Sequence, residues 1–239
     1  MVRMVRDTTG RFAERPHYAP DELDRECERI VTRLLRGRRS ESLYPITTDE
    51  LTILIEQNNA GLDAYADLSD FGADVEGVTI FHPDRDPEIL ISDRLANDER
   101  RENRLRTTLA HEFGHLHFHR HLWADKLAAR RLFDRLSRDN KAICKRDTIL
   151  NARDVDWMEW QAGYVSGAIL MPLTAVRRLV SDYCGPRNLH AAVSVASEHG
   201  RQIVAHVMET FQVSEDAARV RLLKLGQLTA SDRQPSLFG

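Results

Sequence analysis

Apolar positions near the start of the chain recur at helical spacing. Residues 21–37, DELDRECERIVTRLLRG, begin with acids and end with arginines, and Gly37 can end a helix. The apolar positions of this segment are Leu23, Cys27, Ile30, Val31, Leu34 and Leu35. The next segment, TTDELTILIEQNNAG, predicts a second short helix, with Thr48 as its cap and its end before Gly61. The chain is therefore predicted to open with two helices.

The pattern changes after the second helix. Three short runs rich in β-branched or aromatic residues, LDAYADL, VEGVTIFH and EILIS, are separated by the turn-like segments SDFGAD and PDRDP. These runs predict three strands in a small, mainly antiparallel sheet.

From residue 97 onward, nearly every segment has helical periodicity. The segments are NDERRENRLRTTLAHEFGHLHFH, KLAARRLFDRL, VDWMEWQAGYVSGAILM, LTAVRRLVSDYC, LHAAVSVASEHG, QIVAHVMETF and SEDAARVRLLKLG. Breaks are expected at Pro172, at Gly185 with Pro186, and at Gly200. Helices, then a small sheet, then a helical C-terminal half predict an α+β fold.

The same pattern suggests how the chain is divided. Residues 1–19 are polar and are predicted to form a flexible arm, and residues 229–239 a flexible tail. Residues 20–180 are predicted to form the main domain, with the N-terminal helices, the sheet and the histidine-rich helix. Residues 186–228 are predicted to form a helical region that ends in a helix-turn-helix-like pair.

Composition and charge exclude several classes of protein. The 239 residues are 42% hydrophobic and 30% charged, as in a globular protein, and the formal net charge of −3 gives no global reason to expect nucleic-acid binding. No apolar run has transmembrane length, and the start of the chain lacks the apolar segment of a secretory signal. The three cysteines, Cys27, Cys144 and Cys184, are widely spaced, which predicts reduced thiols and a cytoplasmic location.

The most informative motif is HEFGH, residues 111–115, inside a segment of helical pattern. Histidines four apart lie on one face of a helix, so His111 and His115 can bind one zinc ion through their imidazole nitrogens. Glu112 lies at the edge of that face, where it can take a proton from a water activated by the metal and pass it to the leaving amine. The alternative is a surface helix with fortuitous histidines, but the small and apolar neighbours favour a buried helix.

A catalytic zinc takes a third protein ligand and leaves its fourth position open. The candidates are His117, His119, His121, Asp154, Asp156 and Glu159. His119 lies on nearly the same stripe as the motif histidines, but helical turns are about 5.4 Å apart, so one ion cannot easily take all three. Glu159 begins a helix rich in small residues that allow close packing. It could instead be an acid that favours the helix dipole, and spacing alone does not choose.

Three stretches resemble the ImmA/IrrE family of bacterial and phage metallo-endopeptidases. TTLAHEFGHLHFH is similar to the family's active-site helix, EWQAGYVSGAILMP to its E-x-x-A-N-x-F-A-x-x-L-L-M-P helix, and FQVSEDAARVRLLKLG to its C-terminal segment. The likeness runs from about residue 45 to residue 226. It implies that Glu159 is the third zinc ligand and that a small sheet packs on the active-site helix. Such a ligand set also suits Mn²⁺ or Fe²⁺.

The resemblance also implies a substrate class. Proteins of this family are often found beside a helix-turn-helix transcriptional repressor or an antitoxin, which they cut or inactivate in stress response or mobile-element regulation. The chain is therefore expected to be a zinc endopeptidase that acts on such a protein. The alternatives from other classes are a non-catalytic zinc-containing sensor or partner-binding protein, and a DNA-binding regulator.

Two further expectations concern the catalytic site. A donor to the oxyanion is expected, and Tyr164 or a later histidine such as His190 could serve. The basic stretch 122–155, between the two motif helices, could form a lid or a partner surface.

Two features near the C-terminus suggest partners. The last predicted helix carries cations that could meet DNA phosphates, but its start is acidic, so a structural or partner-binding pair is favoured over DNA readout. These residues are Arg219, Arg221 and Lys224, preceded by Glu215 and Asp216. In the tail, Gln234, Leu237 and Phe238 are similar to the peptides by which bacterial proteins dock on the replication sliding clamp.

Overall fold

The computed structural model describes residues 3–36, 43–131, 141–145, 156–189 and 193–230. The strands in these ranges are β1 (Arg3–Arg6), β2 (Glu14–His17), β3 (Gly61–Ala66), β4 (Val75–Ile80), β5 (Glu88–Ser92) and β6 (Lys141–Lys145). The helices are α1 (Pro20–Leu35), α2 (Thr48–Gln57), α3 (Asp93–Ala96), α4 (Glu102–Arg131), α5 (Trp157–Leu170), α6 (Leu173–Cys184), α7 (Glu198–Phe211) and α8 (Glu215–Lys224). The α+β class is therefore confirmed.

The larger sheet is mixed and has the strand order β3-β5-β4-β6. β4 pairs antiparallel with both β5 and β6, whereas β3 pairs parallel with β5. The three predicted strands are present, but the sheet has a fourth, Lys141–Lys145, which the sequence did not predict. The connection from β3 to β4 passes β5, which lies between these two strands in the sheet. The chain then returns from β4 to β5, so that β5 runs parallel to β3.

The cap of α2 differs by one residue from the prediction. Thr47, not Thr48, is the N-cap, because its hydroxyl accepts the Glu50 N–H at 3.2 Å. The Glu50 carboxylate in turn accepts the Thr47 N–H at 2.9 Å. This reciprocal capping box satisfies two backbone donors that have no partner inside the helix.

Helices α4 and α5 pack against each other at the centre of the molecule, and α4 also lies against β4. Gly114 permits the close approach of the two helices, since a Cβ at this position would lie 3.0 Å from the Ala162 Cα. Neighbouring apolar side chains are fully buried around this contact: Ala110, Phe113, Val165 and Ile169. The contact places the N-terminal part of α5 against the motif face of α4.

The structure corrects the flexible arm predicted for residues 1–19. Residues 3–17 contain a two-stranded antiparallel hairpin, β1 with β2. Asp7 orders its turn by accepting the backbone N–H groups of Thr9 and Phe12, each at 2.9 Å. Burial opposes the charge of Asp7, but these hydrogen bonds hold its pKa below the ordinary value. The polar side chains that suggested solvation therefore organise the turn.

The hairpin is anchored on the start of α5. The Trp157 indole N–H donates to Asp7 at 3.1 Å, and Arg11 forms an ion pair with Asp156 at 3.0 Å. The Phe12 ring packs edge-on against Trp157, with ring centroids 6.3 Å apart. These contacts join segments about 150 residues apart, which sequence periodicity does not reveal.

A buried arginine connects α4 to the C-terminal region. Arg106 is 2% exposed, and its guanidinium donates to the carbonyls of Ile46 at 2.7 Å, Phe211 at 3.0 Å and Gln212 at 2.7 Å. Gln212 ends α7 in the left-handed conformation, with φ of 49°, so Arg106 serves the free carbonyls of that helix end. Burial lowers the pKa of Arg106, and the nearby carboxylates of Glu102 and Glu50 offset this effect only in part.

A buried ion pair connects α8 to α1. Arg221 donates to Asp24 at 2.6 Å and to the Met171 carbonyl at 3.1 Å. The second Asp24 oxygen accepts the Tyr164 hydroxyl at 2.7 Å. Helices α7 and α8 are the predicted C-terminal pair. The ion pair between Arg221 and Asp24 holds α8 against α1 in addition to apolar packing.

The helix predicted for LHAAVSVASEHG is not formed over residues 193–197. In the segment LHAAVSVASEHG, Ser194 forms a bridge with Thr229, and α7 begins only at Glu198, where Ser197 caps it. Gly200, an expected break, lies inside α7. A Cβ there would meet the Ser194 carbonyl oxygen at 2.0 Å, so glycine is required by the close approach of this backbone.

Several predictions fall on residues outside the described ranges: His190, Gln234, Leu237, Phe238 and most of the stretch 132–155. Within the described part of the chain, no helix combines the length and the apolar character needed to cross a bilayer.

The first testable prediction concerns Arg106. Arg106→Met keeps most of the side-chain volume but leaves three buried carbonyls without their charged donor, so we expect the free energy of unfolding to fall by about 3 kcal/mol or more. Urea unfolding followed by circular dichroism measures this change. The control is Arg178→Met, whose side chain is 86% exposed, and its effect should stay within about 0.5 kcal/mol. Equal effects of the two substitutions would contradict the role given to Arg106.

Candidate metal centre

Three side chains from two helices converge at one point. The Nε2 atoms of His111 and His115 lie 3.1 Å apart. The His111 Nε2 lies 3.2 Å from the Glu159 Oε2, and the His115 Nε2 lies 3.2 Å from the Glu159 Oε1. The histidines lie one turn apart on α4, whereas Glu159 is in the first turn of α5. The contact at Gly114 brings these two surfaces together.

The geometry fits a tetrahedral metal ion. Two ligands about 2.0–2.1 Å from a zinc ion at tetrahedral angles are about 3.3 Å apart. The two histidine nitrogens, 3.1 Å apart, are close to this value, and one ligand atom from each of the three residues lies within 4.8 Å of the other two. Two imidazole nitrogens and one carboxylate are also the ligand set of catalytic zinc sites that keep a fourth position open. His111, His115 and Glu159 could therefore hold a zinc ion.

The centre is almost completely enclosed. Both histidines are 0% exposed, and the Glu159 side chain is 14% exposed, so the centre meets solvent on the Glu159 side. Burial opposes ionisation of Glu159, yet the neighbouring His115 and His111 hold its pKa below the ordinary value. Burial similarly lowers the pKa of His115, but the Glu159 carboxylate more than reverses this effect. The centre is thus electrostatically suited to a negative carboxylate and a positive partner.

Glu112 lies beside the centre and is completely buried. Its Oε2 accepts the Thr79 hydroxyl at 2.5 Å, while its Oε1 has no hydrogen-bond partner in the described structure. Burial raises the pKa of Glu112, and the nearby His115 and His111 reduce that rise only in part. One oxygen is therefore held by the protein, and the other keeps its capacity to accept a hydrogen bond.

Strand β4 provides the surroundings of Glu112. Gly77 and Thr79 are two residues apart, so both face α4. A Cβ at Gly77 would lie 2.6 Å from Glu112 Oε1, so a side chain at this position would collide with the carboxylate. Neither residue was predicted from the sequence to belong to the site, although their alternation in VEGVTIFH shows that they share a face.

The other candidate histidines on α4 lie away from the centre. His119 is fully buried behind His115, with the two Nδ1 atoms 3.1 Å apart, and its Nε2 lies 3.0 Å from the Gln161 side-chain oxygen. His117 points to another face, with its Nε2 3.2 Å from Glu26. His121 is exposed.

The remaining carboxylates have other positions. Asp156 caps α5 by accepting the Met158 N–H at 3.2 Å, and it also pairs with Arg11. Asp154 lies outside the described residues. Among the third-ligand candidates that the structure describes, Glu159 is therefore the one that it brings to the motif histidines.

Tyr164 does not face the centre. It lies five residues after Glu159, about 140° around the helix. Its hydroxyl donates to the buried Asp24, and burial together with this contact raises the pKa of Tyr164. Its expected role as an oxyanion donor is therefore not supported by its position, because its one proton is engaged elsewhere.

The sequence comparisons agree with this geometry. A family model, Peptidase_M78, described as the IrrE N-terminal-like domain, matches residues 72–223, which is more than half of the chain. The matched range begins before β4 and ends in α8, so it contains every residue of the centre. The hairpin, α1, α2 and β3 lie outside it. A search of curated protein sequences gave no match.

The second prediction tests the metal. We expect about one zinc ion per chain, and Glu159→Ala should weaken zinc binding by more than about 100-fold, because it removes a direct ligand rather than an outer contact. Elemental analysis gives the stoichiometry, and competition with a chelator gives the affinity.

The control for this prediction is Glu26→Ala, which removes a carboxylate beside His117 on another face of α4. Glu26→Ala should leave zinc binding unchanged. Failure of the wild-type protein to bind zinc when zinc is supplied in excess would rule out the centre as a zinc site.

Proposed function

The chain belongs to the Peptidase_M78 family, whose members are the IrrE N-terminal-like proteins of ImmA/IrrE type, and from this premise we propose that it is a zinc-dependent endopeptidase. The observation that best supports this proposal is the position of Glu112. A buried carboxylate with one free oxygen stands beside three convergent metal-binding side chains. A purely structural zinc site would have no need of such a base.

The proposed reaction divides its tasks among these residues. His111, His115 and Glu159 would hold the ion. When bound, zinc would polarise the carbonyl of the scissile peptide bond and lower the pKa of water. Glu112 would accept the proton of the attacking water at Oε1, because Thr79 occupies Oε2. The raised pKa of Glu112 suits it to hold this proton and then deliver it to the leaving nitrogen.

We propose a helix-turn-helix transcriptional repressor or an antitoxin as the substrate, in stress response or mobile-element regulation. The family resemblance supports this choice. A cytoplasmic location is part of the same proposal, and the free thiols of Cys27 and Cys184 support it, since both would remain reduced there.

Direct DNA binding by the C-terminal pair is a weaker alternative. Of the three cations on α8 that could meet phosphates, Arg221 is buried and paired with Asp24. Arg219 is exposed, but Glu215 and Asp216 lie at the exposed start of the same helix. This arrangement favours a structural or partner-binding role.

The third prediction concerns Glu112→Gln. The amide cannot accept the proton of water, so we expect cleavage to slow by about 10²–10⁴-fold while zinc binding is retained. Cells that contain either the wild-type protein or this variant can be compared by mass spectrometry of newly formed protein N-termini. A new N-terminus in a helix-turn-helix repressor or antitoxin, present only with the wild type, is the expected result.

The matched control is Glu26→Gln, which makes the same chemical change on α1, away from the centre. Cleavage by this variant should equal that of the wild type. If Glu112→Gln preserves the biological activity of the protein, the non-catalytic sensor or partner-binding protein becomes the better proposal.

The fourth prediction concerns Gly77→Ala. The new methyl group would displace the Glu112 carboxylate, and displacement of a catalytic group by about 1 Å can lower the rate by about 10²-fold. We expect slower cleavage of the identified substrate with unchanged zinc content. Gly61→Ala is the control, because its Cβ would meet no atom within 4 Å. Full activity of Gly77→Ala would show that the position of Glu112 tolerates movement.

A further inference from the structure

A line of buried polar contacts leads from His115 away from the metal centre. The Nδ1 atoms of His115 and His119 lie 3.1 Å apart, and the His119 Nε2 lies 3.0 Å from the Gln161 Oε1. The Gln161 amide nitrogen then donates to the Pro16 carbonyl at 3.3 Å. The side chains of the two histidines and the glutamine are at most 1% exposed, so water does not compete for these contacts.

The end of this line determines the direction of every hydrogen bond in it. A backbone carbonyl can only accept, so the NH₂ group of Gln161 must face Pro16, and its oxygen must face His119. The His119 Nε2 must then carry the proton. In a neutral imidazole the other nitrogen is an acceptor, so the His119 Nδ1 accepts a proton from the His115 Nδ1.

The consequence falls on the metal centre. With its proton on Nδ1, His115 has its lone pair on Nε2, and this is the nitrogen that faces His111 and Glu159. A ligand histidine in the other tautomer would present an N–H to the ion. Outer hydrogen bonds of this kind orient ligand rings and increase their basicity.

We propose that His119 and Gln161 are positioning residues that hold His115 in its metal-binding tautomer, and that the N-terminal hairpin sets their direction through the Pro16 carbonyl. This inference rests on the proposed function in one respect, which is that His115 binds zinc. Pro16 lies outside the matched range 72–223, whereas the other three residues lie inside it. The proposed line of contacts therefore extends from the centre to a segment outside the matched range.

Two further contacts keep the hairpin in place for this role. Asp7 accepts the Trp157 indole N–H, and Arg11 pairs with Asp156. The hairpin is therefore bound to the start of the helix that carries Glu159. The Trp157 ring packs edge-on against the His119 ring, with centroids 5.4 Å apart. The hairpin thus contacts the start of the helix that carries Glu159, and it is connected to His115 through Gln161 and His119.

The fifth prediction tests this line of contacts in the zinc-loaded full-length protein. His119→Phe removes the acceptor for the His115 Nδ1 proton, and we expect zinc affinity to fall by about 10–100-fold. His119→Gln supplies an amide oxygen that can accept that proton, so it should recover part of the lost affinity. Gln161→Met leaves His119 without its directing partner and should also weaken zinc binding. Affinity is measured by competition with a chelator.

Imidazole NMR provides a readout that a merely structural role would not change. In the wild type, ¹⁵N-edited spectra should show a slowly exchanging proton on the His115 Nδ1 and one on the His119 Nε2. Gln161→Met should give a mixture of His119 tautomers. Thermal unfolding in parallel identifies any variant that has lost its fold.

The control is His117→Phe, on the same helix but hydrogen-bonded to Glu26 rather than to His115. It should leave zinc affinity and the His115 signal unchanged. Wild-type zinc affinity in folded His119→Phe and Gln161→Met, with an unaltered His115 Nδ1 proton, would overturn the inference. A wild-type protein that binds zinc but cleaves no peptide bond would refute the proposed function alone, since the affinities and the NMR signals would still decide this inference.

Discussion

The close approach of α4 and α5 at Gly114 is the constraint on which the rest of the structure depends. Glu159 can reach the motif histidines only because no side chain separates the two helices at this point. This proximity concentrates polar atoms in a buried place, where each unsatisfied group is costly. The surrounding elements satisfy some of these groups. Strand β4 supplies Thr79 to Glu112, and α4 itself supplies His119 to His115.

The same physical rule explains how the C-terminal region is attached. Two buried arginines form polar contacts between this region and the rest of the protein. Arg106 takes the carbonyls at the end of α7, and Arg221 joins Asp24 to the Met171 carbonyl. Such bonds depend on direction as well as distance, so they specify how α7 packs on α4 and how α8 packs on α1 more narrowly than apolar packing alone.

Local patterns in the sequence predicted much of the centre, whereas long-range pairing was beyond their reach. The helical context of HEFGH and the acid at the start of the small-residue helix are visible within a few turns, and so are the strands LDAYADL, VEGVTIFH and EILIS. The hairpin was missed because its strands are four residues long and polar, and its partners are contributed by α5. The alternation of Gly77 and Thr79 shows that they share a face, but not which helix covers it. Even the cap of α2 depended on Glu50, three residues beyond Thr47.

The contact between Gln161 and the Pro16 carbonyl has a consequence for where a functional fragment of this chain can begin. The contact uses a main-chain oxygen, which every amino acid possesses, so evolution can change the side chain at this position and keep the interaction. A fragment trimmed to the matched range 72–223 would omit this carbonyl. On the proposal above, the candidate metal centre therefore depends on the path of the backbone at Pro16 and not on the type of residue there.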